Sequence, residues 1–378
     1  MIGRVERILV NQGRTFSRNG VRVHLLWLFL MGCTGGDEMV HYEVVYSEHV
    51  SALAGVNIPV EIFEESSSFL LDVASEERVA VASLFDPDGE LVFDYRELEP
   101  ERYLSHGFFP RSNHLSFNWP IRQSDSPLRP GQWQVQLAVL DDAGLYVAGK
   151  DLGVTTQWKA DSDLERGVLH VRVLFDQTVS GDAAVRSATE SAVSVWKQHW
   201  APYGLKIEVE YEASVQDINM PTPSDRTREY ELLDGAGEAH QITVLIGHYI
   251  DDDLNQAGVT GSVPAALSSS PLGIVLVSWL SIAGVDGVFS PEEITLYGSV
   301  LAHESGHHLG LFHPVEMDWS TWDALSDTPD CTSVKDCEAQ LGANFMFPYP
   351  LCDEVGCEVQ SEMTEAQKGV CHRYTGTL

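Results

Sequence analysis

The chain has 378 residues, 44% of them hydrophobic and 21% charged, which is the make-up of a globular protein long enough for two domains. No stretch reaches the roughly 18 to 20 apolar residues of a membrane-spanning helix. Lys+Arg 23 against Asp+Glu 56 gives a net charge of −33, which speaks against nucleic acid or an anionic membrane surface as a partner, since like charges repel.

In chain order, Arg4, Arg7, Arg14, Arg18 and Arg22 precede the apolar run VHLLWLFLMGC, which ends at Cys33. Basic region, short apolar core and small residues at the cut are the order of an export signal. Leu30-Met31-Gly32-Cys33 resembles a bacterial lipobox, which implies lipidation of Cys33 and membrane contact through an N-terminal lipid anchor. Residues 1–32 are thus expected to be a lipoprotein-type signal peptide and 33–42 a tether. The expected location is extracytoplasmic, as a bacterial envelope lipoprotein or a secreted protein.

Residues 43–156 read as strands and turns. RVAVASLFDPDGELVFDY places two β-rich runs around Asp86-Pro87-Asp88-Gly89, which is hairpin chemistry. Trp133, Val135, Leu137 and Val139 alternate with polar or small residues before a turn at Asp141 to Gly144. Period-two alternation predicts half-buried antiparallel strands, and several such units predict an immunoglobulin-like β-sandwich with an accessory or positioning role. His106 and His114 stand singly in loop-like sequence and are expected at the surface rather than as ligands.

A linker at 157–167 leads into residues 168–378, where the pattern becomes mixed. VLHVRVLFD predicts a strand, and SGDAAVRSATESAVSVWKQHWAPYG an amphipathic helix stopped by Pro202 and Gly204. LKIEVEYE, HQITVLIGHYI and PLGIVLVSWLS predict further strands. Ser290, Pro291 and Glu293 form a capping box with proline at the first helical position, so a helix is predicted from Pro291 to Leu309, with Gly310 ending it. The expected fold class is α+β, a mixed twisted sheet plus this helix, preceded by the sandwich.

That last helix carries HESGHHLGLFH, residues 303–313. His303 and His307, four apart, project from one helical face about a turn apart, and Gly310 lets the chain turn so that His313 can supply a third nitrogen. Three neutral imidazoles leave one tetrahedral position open, the arrangement of a catalytic zinc site. Glu304 stands where a carboxylate could take a proton from water on that metal. His308 fits no such position and is expected to be a flanking or surface residue.

The full spacing H-E-x-x-H-x-x-G-x-x-H, with Met346 in NFMFP 33 residues past His313, resembles the metzincin zinc metallopeptidases. SDTPDC, NFMFP and MTEAQKGV look most like the pappalysin and reprolysin-like bacterial branches. The resemblance covers about residues 168–378. It implies a zinc-dependent endopeptidase acting on protein or peptide substrates, in which a zinc-bound water attacks the peptide bond, and the export signal makes it an exported one. One zinc would be held by His303, His307 and His313, with Glu304 as general base and Met346 as the floor of the site. Pro348 stands where pappalysin-type turns often carry tyrosine, which leaves Tyr349 as the candidate for an oxyanion or fifth-ligand role. Residues 273–280, GIVLVSWL, are expected to be the edge strand that pairs with substrate, and GVTGSVPAALSSSP its flexible rim. The alternative is a surface binding protein whose sandwich is the functional part and whose metal site is structural or vestigial.

Three lesser expectations complete the reading. Asp327 either bonds a ligand histidine or caps a local turn, the turn being preferred. Asp251-Asp252-Asp253 and Asp286 are candidates for calcium but lack the D-x-[DN]-x-[DN]-G loop, so solvated turns are preferred. Cys331, Cys337, Cys352, Cys357 and Cys371 are expected to form disulfides of open connectivity; five is odd, so at least one thiol stays free or pairs elsewhere. Oligomeric state is not legible.

Overall fold

The computed structural model describes residues 23–25, 44–52, 56–109, 111–145, 147, 150–159, 162–213, 220–223, 230, 242–265, 270–284, 286–352 and 357–374. The expected lipidation site Cys33 lies outside them, as do the expected tether and the expected leader apart from Val23–Leu25, which forms strand β1. Among the described residues no helix is long and apolar enough to cross a membrane.

Two antiparallel sheets make the first half. One runs in the order β1, β2 (Val44–Ala52), β10 (Lys150–Lys159), β4 (Ser68–Ala74), β8 (His114–Trp119). The other runs β3 (Val56–Ile62), β9 (Gly131–Leu140), β5 (Arg78–Phe85), β6 (Leu91–Asp94). The predicted alternation is realised in β9, where Trp133, Val135, Leu137 and Val139 are all fully buried. The β5–β6 hairpin turns at Gly89 with φ +81°, a left-handed backbone that glycine adopts without Cβ strain. Asp86 Oδ1 accepts the backbone N–H groups of Asp88 and Glu90. The two sheets meet where Phe93 of β6 lies 5.9 Å from Trp119 of β8. Two antiparallel sheets are what the fold retains of the expected sandwich. β10 runs on through buried Trp158 and Lys159, so the first three residues of the expected linker belong to the sheet.

The second half is built on a five-stranded sheet in the order β12 (Leu205–Ala213), β11 (Gly167–Phe175), β13 (Ile242–Gly247), β15 (Ile274–Ser278), β14 (Gly258–Thr260). The first four are mutually parallel, and β14 is antiparallel to β15. This corrects one expectation: Ile274–Ser278 is an inner strand with all five residues buried. The edge belongs to Gly258–Thr260, inside the segment taken for a flexible rim. An unbroken apolar run such as IVLV marks a strand covered on both faces.

Helices cover this sheet. α1 (Ala183–Trp200) is capped by Asp182, whose side chain accepts from the backbone of Ala184 and Val185. After α2 (Trp279–Ala283), α3 (Pro291–His308) has both hydrogen bonds of the predicted capping box. α4 (Val334–Leu341) and α5 (Glu365–His372) complete the chain. α1 and α3 approach so closely that a Cβ on Gly298 would lie 2.7 Å from the carbonyl oxygen of Ala192. Disulfides join Cys331 to Cys337 and Cys352 to Cys357, and Cys371 is free and buried. Such bridges suit an oxidising, extracytoplasmic setting.

The two halves share one apolar core that runs from Ile58 to Tyr374. Strand β7 (Arg102–Tyr103) pairs in parallel with β16 (Trp322–Asp323), joining the first half to the second. Ser68 Oγ donates to the Arg373 carbonyl at 2.7 Å, Lys159 Nζ to the His372 carbonyl at 2.6 Å, and Arg373 Nη1 to the Ile121 carbonyl at 2.7 Å.

Gly298→Ala is expected to lower the unfolding free energy by about 1–3 kcal/mol, the usual result of forcing a methyl into a filled helix contact. Denaturant midpoints of variant and wild type measure it, and equal midpoints would contradict the close approach.

Candidate metal centre

The geometry of the candidate centre starts from the ends of α3. Ser290 Oγ accepts the Glu293 N–H at 3.2 Å, and Glu293 Oε2 accepts the Ser290 N–H at 2.7 Å. At the other end Gly310 takes φ +105°, which turns the chain back so that residue 313 returns beside the helix. His303 and His307 are a helical turn apart, their ring centroids separated by 4.7 Å. His313 completes the set: its Nε2 is 3.2 Å from that of His303 and 3.1 Å from that of His307.

Each ring is oriented through its other nitrogen. Nδ1 of His303 lies 2.8 Å from the Phe345 carbonyl oxygen, and Nδ1 of His307 lies 2.6 Å from that of Leu311. Nδ1 of His313 lies 2.9 Å from Glu316 Oε2. All three partners are pure acceptors, so each Nδ1 donates a proton and each Nε2 is left with its lone pair. Three converging lone pairs repel one another, and a cation among them turns that repulsion into ligation. The donor set therefore fits a divalent metal such as zinc. Among the described residues this is the one group of three or more His, Cys, Asp or Glu whose ligand atoms all lie within 4.8 Å of one another. Burial, reinforced by the neighbouring His313, holds the His303 imidazole down to about 3 and His307 well below its ordinary 6.5. Both rings are thus in the neutral form that ligation requires.

Glu304 is 8% exposed. The hydroxyl of Thr260, on edge strand β14, lies 2.7 Å from its backbone carbonyl and 3.1 Å from its Oε2. Burial pushes the carboxyl up to about 8, partly opposed by that hydroxyl. A Cβ on Gly258 would lie 2.6 Å from Glu304 Cγ, so only glycine lets the edge strand pass this close. Met346 is fully buried and fills the space a side chain on Gly306 would need. Its N–H donates to Asn344 Oδ1 at 2.9 Å, and Asn344 is bonded in turn to Gln367 of α5.

Other expected residues are placed differently. His308 is fully buried rather than at the surface, with its carbonyl accepting from Ala265 N–H at 2.9 Å. His106 is no free surface residue either: its N–H donates to the Val263 carbonyl, its Nδ1 accepts from Val263 N–H, and its ring lies 5.2 Å from that of Phe312. His114 is half-buried in β8. Tyr349 does not join the histidines; its hydroxyl donates to Glu338 at 2.9 Å, and its ring packs on Phe347 and Trp319. Asp327 accepts from Ala366 N–H at the start of α5, a bond to neither of the partners expected for it. Asp253 accepts from Asn255 and Asp286 from Val288, as turn residues do, whereas Asp251 accepts from the distant Thr222.

Sequence reading missed Glu316 and Thr260. A carboxylate three residues past the third histidine was a signal for the first; the second, 44 residues before its partner, left none.

No known protein family and no curated protein matches the chain at the sequence level. Among solved structures, a chain of a chaperone–substrate complex is 11% identical with a TM-score of 0.27, covering 52% of this chain and 30% of its own. Archaemetzincin from Methanopyrus kandleri is 15% identical with a TM-score of 0.26, covering 42% of this chain and 82% of its own. Metalloproteinase-II from Bacteroides fragilis is 13% identical with a TM-score of 0.29, covering 54% of this chain and 64% of its own. This chain therefore spans less than two thirds of the first and third. None of these likenesses is close enough to carry function, which must be argued from the side chains.

Elemental analysis of the purified chain is expected to give one zinc per molecule, lost in His307→Ala; a zinc-free folded wild type, even after zinc is added back, would remove the centre. A second expectation concerns acid stability of the metal-free chain. His303 and His307 stay neutral when folded but take up protons near 6.5 when unfolded, so protons favour unfolding. Their contribution is complete above pH 6.5 and is lost as pH falls towards about 3. Glu304 and Asp323, both raised to about 8 by burial, act with the opposite sign, so the readout is a difference. Between about pH 7 and 4 the denaturant midpoint should fall less steeply in His303→Gln than in wild type.

Proposed function

We propose that this chain is a zinc-dependent endopeptidase of metzincin type. The observation that carries the reading is a buried carboxylate, Glu304, on the same helix as two of three imidazoles whose Nε2 atoms converge to 3.1–3.2 Å. His303, His307 and His313 would hold the metal. Zinc bound there supplies Lewis acidity and lowers the pKa of water. Glu304 takes a proton from the attacking water on a carboxylate oxygen and delivers it to the departing amine nitrogen. Its buried position keeps the carboxyl out of bulk water, and the Thr260 hydroxyl holds one of its oxygens, Oε2, at 3.1 Å. A structural site would have no use for a base so placed, which favours catalysis over the vestigial reading.

Edge strand β14 suits a peptide substrate. It is short, half-buried and paired to β15 on one side, so its other edge can pair with an extended chain by strand addition. Its path past Glu304 would bring the paired peptide bond to the base. The first half of the chain, with its expected sandwich, export signal and lipid anchor, would deliver this enzyme outside the cytoplasm.

Glu304→Gln keeps the shape and removes the base. It is expected to retain zinc while hydrolysis of casein or a peptide library falls by at least about 10²-fold. Undiminished hydrolysis would overturn the mechanism, and a wild type that binds zinc but cleaves no peptide would favour the binding-protein alternative.

A further inference from the structure

We infer that the third ligand, His313, is set in place by a clasp donated by the first half of the chain, with Glu316 as its positioning residue. The inference rests on the metal-centre reading above. His303 and His307 need no such help, because helical geometry fixes their separation. His313 lies beyond the helix and beyond Gly310, in a segment without regular structure, so its position must come from contacts.

Those contacts are specific. Glu316 Oε2 accepts from His313 Nδ1 at 2.9 Å, whereas the other two rings rely on peptide carbonyls that no substitution can remove. Glu316 is itself locked: its N–H donates to the Thr321 carbonyl at 2.8 Å, and its carbonyl accepts from Trp319 N–H at 3.0 Å. Asp318 accepts the N–H groups of Ser320 and Thr321 within the same turn. Val315 bridges to Trp322, the first residue of β16, and β16 pairs with β7 of the first half. Trp322 N–H donates to the Glu101 carbonyl and Ala324 N–H to that of Tyr103. Arg102 stands 5.9 Å over the Trp322 ring and bonds Asp330 at 2.6 Å. On the other side of His313, Phe312 packs against Tyr103 at 5.4 Å and His106 at 5.2 Å. Residues on both sides of the third ligand are therefore gripped by residues 101–106.

A carboxylate on the remote nitrogen of a ligand histidine fixes the ring's tautomer and rotation and makes it a better donor, and losing such a partner costs about 10–100-fold in metal affinity. The test uses the full chain and measures the zinc dissociation constant by competition with a chelator, beside the visible absorption of the cobalt-substituted protein. Glu316→Ala should weaken zinc by about 10–100-fold and alter the cobalt bands. Glu316→Gln, whose amide oxygen still accepts from Nδ1, should recover most of the affinity, a rescue that a merely structural role would not give. Should the alanine variant fail to fold, Glu316→Asp serves instead, since a side chain one methylene shorter leaves Nδ1 unmet. Tyr103→Ala should weaken zinc several-fold through Phe312. Zinc affinity in folded Glu316→Ala or Glu316→Asp equal to wild type overturns the inference while leaving the centre intact. A wild type that binds no zinc removes the centre, and the inference with it.

Discussion

Three imidazole nitrogens held 3.1–3.2 Å apart set the terms for everything around them. Bringing them together is unfavourable in itself, since each presents an Nε2 lone pair to the others and none can carry a proton on that nitrogen without losing it. Three separate acceptors, two carbonyls and one carboxylate, must therefore be placed behind the rings. The Met346 turn supplies the first through Phe345, the chain reversal after Gly310 supplies the second through Leu311, and the loop at 315–322 supplies the third. Each of those features needs its own support, which is why so short a helix motif draws in residues from Tyr103 to Gln367.

Close packing by glycine recurs around α3, each time for a different contact. Gly298 admits α1, Gly306 admits Met346, and Gly258 on the facing strand admits Glu304. Glu304 is consequently covered on one side by the backbone of Gly258 and met by the side chain of Thr260. Enclosure is what raises its affinity for a proton, and the Thr260 hydroxyl prevents that effect from running to completion.

Local chemistry was readable and long-range placement was not. The capping box of α3, the stop at Gly310, the hairpin at Asp86–Gly89 and the alternation in β9 all depend on neighbours within a few residues, and each formed as the sequence predicts. The edge of the second sheet was misplaced, because Gly258–Thr260 has little β character of its own and becomes a strand only by lying along β15. His106 and His308 looked like surface residues since neither belongs to a motif; His308 is buried and His106 half-buried, by partners far away in sequence. Tyr349 was assigned by position in a resemblance, and the packing of Phe347 and Trp319 sends it to Glu338 instead. The convergence of His303, His307 and His313 beside Glu304 was legible because their spacing is itself the geometry.

The pairing of β7 with β16 has a temporal side. A ribosome releases residues 101–106 long before residues 312–323, yet the two stretches must dock before the last of the three histidines can settle. The helix by itself offers a nascent chain only two of the three imidazoles. Assembly of the three-histidine cluster is therefore tied to completed tertiary folding, so a half-folded chain presents two of its imidazoles without the third.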